Sequence, residues 1–403
     1  MILIPKRGDT VDTLFSPIRE FFRKGDWVLL SLCLLASGYG LVLIYSATRY
    51  MESNRSVIVQ AASILIGVFA YIFLTFVDFH TLTEKGWKPM MIFSILFVLL
   101  VRTPIGVEIY GNRNWIRVPG IPLTIQPDEV VKISLILLLA RTISRMQEQN
   151  QDISTVPSVI KIAAPVVLMM GVVFAACSDL GMCMIYLAIF VVMTWVAGVK
   201  KRWFFVTGGG GISAVVLLWK FILPKTALWD NYRIARFRVV VDHSYDPSGF
   251  GYQQNRSLLA IGSGQLTGQG FLNGTQTQSD FSQSLPVRES DFIFAVCGEE
   301  FGMVGCLLLL AILSAIVLRC ILIGQQADSK FSAYVAMGTA GMLMAQIFIN
   351  VGMNLFVVPV MGLTLPFVSN GGSSIVTMFA AMGVVSSMKA QTLPSWLKDK
   401  NRI

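Results

Sequence analysis

Long apolar runs separated by short polar breaks dominate this chain. They fall at about 27–48, 57–77, 88–102, 127–146, 157–177, 181–199, 203–223, 291–323, 331–357 and 361–388. A run of about 18 or more apolar residues is long enough to cross a bilayer. Lipid offers no partner to an unpaired backbone N–H or C=O, so each run is read as a helix. The pattern predicts an all-α integral membrane protein with ten transmembrane helices. The third run is short for a span and the eighth is long. Two polar stretches exceed ordinary connectors, 103–126 and 224–290, and long connections rich in glycine, aromatic residues and charge carry function more often than not. The expected organisation is a tail at 1–26, seven spans over 27–223, a large loop at 224–290, three spans over 291–388 and a second tail at 389–403.

Composition agrees with this reading. The chain has 403 residues, 54% hydrophobic and only 14% charged, whereas a soluble domain carries roughly 25% charged residues. The formal net charge of +9 could suggest a nucleic-acid partner, but its distribution argues otherwise. Lys and Arg gather in the N-terminal tail (Lys6, Arg7, Arg19, Arg23, Lys24), near Lys85 and Lys88, at Arg141 and Arg145, at Lys200–Arg202, between Arg319 and Lys330, and in the C-terminal tail. The opposite short connections carry Arg49, Arg55, Arg102, Arg113 and Arg117. That bias places both termini in the cytoplasm and the 224–290 loop outside. The basic excess is topology and attraction to anionic lipid, not nucleic-acid binding. Within Thr13–Trp27, Leu14, Phe15, Ile18, Phe21 and Phe22 share one face, as in an interfacial anchoring helix.

The six cysteines lie in or beside apolar runs without a CxxC pair, and only His80 and His243 are present. These counts argue against a disulfide framework, a cysteine–histidine metal centre and a Ser/His/Asp triad. Gly208–Gly211 lies inside an apolar run without the following Lys-Ser/Thr of a phosphate loop, so a kink or close packing explains it. Gly262–Gly270, "GSGQLTGQG", likewise reads as a turned loop.

Carboxylates are the better candidates for chemistry. In "IQPDEVVKI", Pro127 suits a first helical turn, and Asp128 and Glu129 suit its positive end. Lys132 follows at i+3 and i+4, so the three share a face and predict one ionic cluster. An ionisable group inside a span is a functional candidate by default. Asp179, in "CSDLG", is either a functional acid or a helix cap. Asp291 stands where the outer loop enters the eighth run, again either a cap, with Ser290 competing, or an acid of raised pKa at the water–lipid boundary. Glu299 and Glu300 lie two turns deeper and are expected to pair with neighbouring spans.

The stretches "GNRNWIRV", "IQPDEVVKI", "SDLG", "DPSGFGYQ", "AIGSGQLTGQG", "LPVRESDFIFAVCGEEFGMVG" and "GLTLPFVSNGGSS" resemble, in order, the signature stretches of the SEDS family, the RodA and FtsW group. The likeness spans nearly the whole chain, and "GTQTQ" followed by "SLP" is more RodA-like. The resemblance implies a peptidoglycan glycosyltransferase that polymerises lipid II at the outer face of the bacterial inner membrane, in elongation and cell shape, or in division if the chain is FtsW-like. It implies a class B penicillin-binding protein as partner. It matches Asp291 to the family's essential aspartate, Glu129 and Lys132 to an acid and base of the fourth span, Asp179 to the aspartate of a "PDLG" stretch, and Arg113 and Arg236 to outer-loop arginines. Departures from the family pattern are Asp128 for a serine, the lost proline before Asp179, Asn370 for a tyrosine and Arg256 for a glutamine.

The implied reaction needs a base for a sugar hydroxyl and cations for a departing pyrophosphate. Asp291 is the expected base. Arg113, Arg236, Lys132 and Arg256 are candidate cations, and a divalent ion, Mg2+ or Mn2+, could assist although the sequence shows no ligand cluster. Two other readings remain open at this point: a lipid II flippase, and a scaffold that only docks a synthase.

Overall fold

The computed structural model describes residues 25–51, 54–109, 112–117, 124–226, 232–246, 248–249, 251–280 and 284–390. Most of the expected amphipathic helix at Thr13–Trp27 and most of the C-terminal tail lie outside them. The chain folds as a helical bundle: α1 (Trp27–Thr48), α2 (Arg55–Thr75), α3 (Phe79–Leu99), α4 (Pro127–Glu148), α5 (Val156–Cys177), α6 (Leu180–Val196), α7 (Gly210–Leu217), α8 (Tyr232–Val241), α9 (Tyr252–Gly264), α10 (Ile293–Gln326), α11 (Lys330–Asn354) and α12 (Gly372–Ala390). Six of them, α1, α2, α5, α10, α11 and α12, are long and apolar enough to cross a membrane by length and composition.

Local chemistry sets the starts. Asp26 caps α1, its carboxylate accepting the Leu29 N–H at 2.9 Å, and Asp78 does the same for Thr81 at 3.1 Å. α3 begins earlier than its apolar run because Glu84, Lys85 and Lys88 mask the pattern. Glu84 pairs with Arg141 at 3.0 Å and Arg145 at 3.1 Å, joining α3 to α4. At the same end of the bundle the fully buried Asp26 accepts Arg319 of α10 at 2.7 Å and Lys389 of α12 at 3.3 Å. α12 packs most extensively on α2. α11 lies centrally against α4, α6 and α10.

Several expectations need correction. The chain is not purely α-helical: Gly106–Ile109, Asn112–Arg117 and Thr124–Ile125 form β1, β2 and β3 of a small antiparallel sheet in that order. The two-residue alternation in β2, with Asn114 and Ile116 buried between partly buried or exposed Arg113, Trp115 and Arg117, is the strand signal that hydropathy overlooks. The 224–290 stretch holds two helices, α8 and α9. α9 caps the C-terminus of α11: Gln254 donates to Met353 O (2.9 Å) and Val358 O (2.8 Å), and Ser257 to Asn354 O (2.8 Å). The tenth helix starts at Gly372 rather than 361, because 355–371 runs as irregular backbone. The seventh run is a π-type turn at Phe205–Gly209, then α7, then another at Leu218–Ile222. An added Cβ at Gly208–Gly211 meets nothing within 4 Å, so close packing within this chain is not the role of these glycines.

The eighth run holds a break. Gly302 has φ 64° and ψ −163°, inside α10. The freed backbone groups pair with the 265–270 loop: Met303 N to Gln265 O (2.9 Å), Val304 N to Leu266 O (3.1 Å), Gln269 N to Glu299 O (2.9 Å) and Gly270 N to Glu300 O (3.1 Å). In "GSGQLTGQG", Gly262–Gly264 finish α9 and 265–270 form a strap laid into a broken helix, satisfying in protein what lipid could not.

Candidate active site

One end of the bundle opens into a cavity of about 510 Å3. The starts of four helices reach it: Gln126 at α4, Asp179 to Gly181 at α6, Asp291 just before α10, and Gly372 to Ser374 at α12. Helix N-termini present unpaired N–H groups and positive dipole ends. Arg236 of α8 adds a full charge to the wall, and Asn114 and Trp115 of β2 close one side. A second cavity of about 470 Å3 adjoins it and shares Arg236, Gln253 and Val360. The cavities lie at the end opposite the Asp26–Arg319–Lys389 cluster, since α10 and α12 begin at the one end and carry Arg319 and Lys389 near the other.

Asp291 is partly buried in the cavity wall. It does not cap α10: the N-cap position is Phe292, and no cap bond from that side chain forms. Its Oδ1 accepts the Ser290 hydroxyl at 3.3 Å, while the Ser290 carbonyl accepts the Ser369 hydroxyl at 2.6 Å. Burial pushes the Asp291 carboxyl up to about 6; the Ser290 hydroxyl and Arg236 pull it down, while Glu289 and Asp179 push it up. Asp179 does cap α6, accepting the Met182 N–H at 2.9 Å with one oxygen and Asn114 Nδ2 at 2.9 Å with the other. The cap residue also lines the cavity. Burial raises its carboxyl to about 6 against the opposing Met182 N–H. Arg236 donates to Val360 O at 3.2 Å.

The other sequence candidates do not reach the wall. Lys132 pairs with Glu129 and sits 3.3 Å from Gln346 Oε1, and all three are buried. Asp128 is not part of that pair: its Oδ1 accepts the Glu129 N–H at 3.0 Å, and its Oδ2 has no partner among the described residues. The short Asp128 side chain turns back on the helix N-terminus, whereas the longer Glu129, one i+3 step from Lys132, reaches the ammonium. Arg113 donates to Thr103 O at 2.9 Å, away from the cavity. Arg256 lies 5.0 Å over the Tyr252 ring on α9. Glu299 accepts Gln276 N (2.7 Å) and Thr277 N (2.8 Å), so it holds the outer loop. Glu300 accepts Ser46 Oγ of α1 at 2.6 Å and Gln278 Nε2 at 2.9 Å.

Sequence reasoning missed the cavity residues Asn114, Gln126, Thr364, Ser373 and Ser374, and named Asn370 only as a departure from the family pattern. It also missed Asn350 and Asn354, whose amides bond the Asp291 carbonyl at 3.2 and 3.0 Å. With Gln346 they make an i, i+4, i+8 set on one face of an apolar helix. That spacing was legible, because three amides on one face of a membrane helix need protein partners.

A polytopic helical bundle with a charged, carboxylate-bearing cavity at one end is a membrane protein built to act on something at the bilayer boundary. Residues 26–393 match the model of the cell cycle protein family that groups FtsW, RodA and SpoVE, and the chain belongs to that family. It is 33% identical to the stage V sporulation protein E of Bacillus subtilis over 89% of this chain and 95% of that protein. It is also 33% identical to the peptidoglycan glycosyltransferase MrdB of Escherichia coli, covering 75% and 78%. Among solved structures, the rod shape determining protein RodA of Thermus thermophilus superposes with a TM-score of 0.66 at 25% identity, covering 92% of this chain and 98% of that one. A chain of a peptidoglycan synthase complex described as coordinating polymerization and crosslinking superposes at 0.72 and 27% identity, covering 91% and 97%.

Proposed function

We propose that this protein is a peptidoglycan glycosyltransferase that polymerises lipid II into glycan strands at the outer face of the bacterial inner membrane, for wall elongation or division. The observation that carries the reading is the convergence of Asp291, Asp179, Arg236 and four helix N-termini on one cavity. Relatives named as peptidoglycan glycosyltransferases support it.

The chemistry follows from the wall. The acceptor sugar hydroxyl attacks the anomeric carbon of the donor. A new C–O bond forms, the bond to the pyrophosphate breaks, the hydroxyl proton passes to the Asp291 carboxylate, and the lipid pyrophosphate leaves with its negative charge. A base works best with a pKa near the operating pH, which suits a carboxyl raised to about 6. Arg236 and the N–H groups at the start of α12, whose first residues Gly372, Ser373 and Ser374 line the cavity, meet the charge that develops on the pyrophosphate. The adjoining cavity gives the second saccharide room on the other side of Arg236. Glu129 and Lys132 support the site from beneath, through Gln346, which donates to Thr364 O at 3.0 Å on the wall. Asp128, Arg113 and Arg256 do not line the cavity and are given no contact with substrate in this reading. Among the described residues no group of three or more His, Cys, Asp or Glu side chains could hold a metal ion, and no step is routed through a divalent cation.

In this reading the chain crosses the bilayer ten times, with both termini cytoplasmic and 224–290 outside. Its crosslinking partner is a class B penicillin-binding protein, as the structural likeness to a complex joining polymerization and crosslinking supports. The test is polymerisation of purified lipid II by the purified full chain in lipid nanodiscs, with no other synthase present. Polymer is expected from the parent chain, with a rate that rises as pH passes through about 6, as the base ionises. Asp291→Asn should lose about 10²–10⁴-fold, the usual contribution of a general base. Parental turnover in that variant would place the base elsewhere.

A further inference from the structure

A carboxylate at a helix start ordinarily turns inward to accept the free N–H groups of the first turn. Asp291 does not, although it stands two residues before α10. The reason lies on α11. Asn354 Oδ1 accepts the Ala295 N–H at 3.1 Å, which that N–H shares with Phe292 O at 3.0 Å. Ala295 is the third residue of α10, the position that a cap side chain normally serves. The amide on the other side of the same carboxamide donates to Asp291 O at 3.0 Å and to Asn350 O at 2.8 Å. Asn350 Nδ2 adds a second donor to Asp291 O at 3.2 Å and bonds Leu363 O at 2.7 Å. Asn350 and Asn354 are both fully buried. On the other side, Ser369 Oγ bonds Ser290 O at 2.6 Å and the Asn370 N–H bonds Glu289 O at 2.9 Å. The backbone from 289 to 291 is thus fixed carbonyl by carbonyl.

We propose that Asn350 and Asn354 are positioning residues for the glycosyl transfer: they cap α10 from the neighbouring helix and clamp the Asp291 main chain, which leaves the Asp291 carboxylate free to face the cavity. The inference rests on the reading of Asp291 as the base. With Asn354 lost, Asp291 becomes the natural cap of α10. Its carboxylate then accepts helix N–H groups, turns from the substrate and ionises at lower pH, because hydrogen bonds to the charged form favour it. The charged groups facing it, Glu289, Asp179 and Arg236, are unchanged by the substitution.

The experiment compares Asn354→Ala and Asn350→Ala with the parent in the lipid II polymerisation assay across pH, with size-exclusion profile and melting temperature recorded for each. Asn354→Ala should lose about 10²-fold in kcat, the scale of a misplacement near 1 Å, with KM nearly unchanged. Its acidic limb should move below that of the parent. Asn350→Ala keeps the cap and loses one clamp, so kcat should fall less and the limb should stay in place. A purely structural role would lower the fraction of folded enzyme in both variants and move neither limb. A folded Asn354→Ala with parental kcat and limb overturns the proposal. If Asn354→Ala does not fold, parental kcat in Asn350→Ala overturns it. Asp291→Asn run alongside separates the failures: turnover there removes the base itself, whereas a dead Asp291→Asn beside a fully active Asn354→Ala removes only the positioning.

Discussion

Asp291 carries an ionisable group into a place that resists its charge. The carboxyl ordinarily titrates near 3.8, and burial pushes it up to about 6 in the fold. The folded chain therefore holds that proton more tightly than the unfolded chain does. The sign follows: the group favours the folded state below about 3.8 as much as a neutral side chain would, and this contribution is lost as pH rises from 3.8 through 6. At pH 8 the parent carries the full cost of an ionised carboxylate. Asp291→Asn removes it, so the variant should melt at a higher temperature than the parent at pH 8, and the gap should shrink as pH falls below about 4. Differential scanning fluorimetry in nanodiscs reads this directly. A variant that melts below the parent at pH 8 would mean that the ionised carboxylate is a structural partner in the fold, not a group held ready for a proton. Stability given up at a site of chemistry is a common trade.

Elements position such residues, and here one element does so by being broken. Gly302 takes φ 64° and ψ −163°, a region open essentially to glycine alone. A Cβ there would lie 2.3 Å from Gly268 N, and a Cβ on Gly268 would lie 2.1 Å from Glu300 O. Neither contact can relax cheaply, because both atoms are backbone. Gly302→Ala should cost about 1–3 kcal/mol from strain alone and free the 265–270 strap. Limited proteolysis should then cut between 265 and 280, where the parent resists; unchanged cleavage and melting temperature would show that the break tolerates a side chain. This element also marks how far the sequence could be read. Hydropathy measures greasiness over a window, so it located the apolar runs and placed Asp291 and Asp179 at helix starts. It is blind to backbone pairing. The strap in α10 and the β-sheet of 106–125 are made by main-chain bonds, the irregular 355–371 stretch is held through its carbonyls by amides of α9 and α11, and each was read as loop or continuous helix. The same limit hid the capping role of Asn354, since its partner lies fifty-nine residues away in sequence.

At the scale of the whole molecule, the site has a function only if it faces the right compartment. The helix directions put the Asp291 cavity and the Asp26–Arg319–Lys389 cluster at opposite ends of the bundle. The cluster end also carries Arg141, Arg145 and Lys200–Arg202, the basic residues that favour the cytoplasm. The cavity should therefore open to the outside, where the lipid-linked sugars are to be joined. Ser248 tests this, because it is exposed and lines the cavity that adjoins the site across Arg236. The six native cysteines are free and buried, so the parent background should stay silent to a membrane-impermeant maleimide. Ser248→Cys should react with that reagent added to spheroplasts, and Ser329→Cys, on the short connection between α10 and α11, should react only after the membrane is opened. The reverse pattern would turn the cavity toward the cytoplasm and end the case for polymerisation at the outer face.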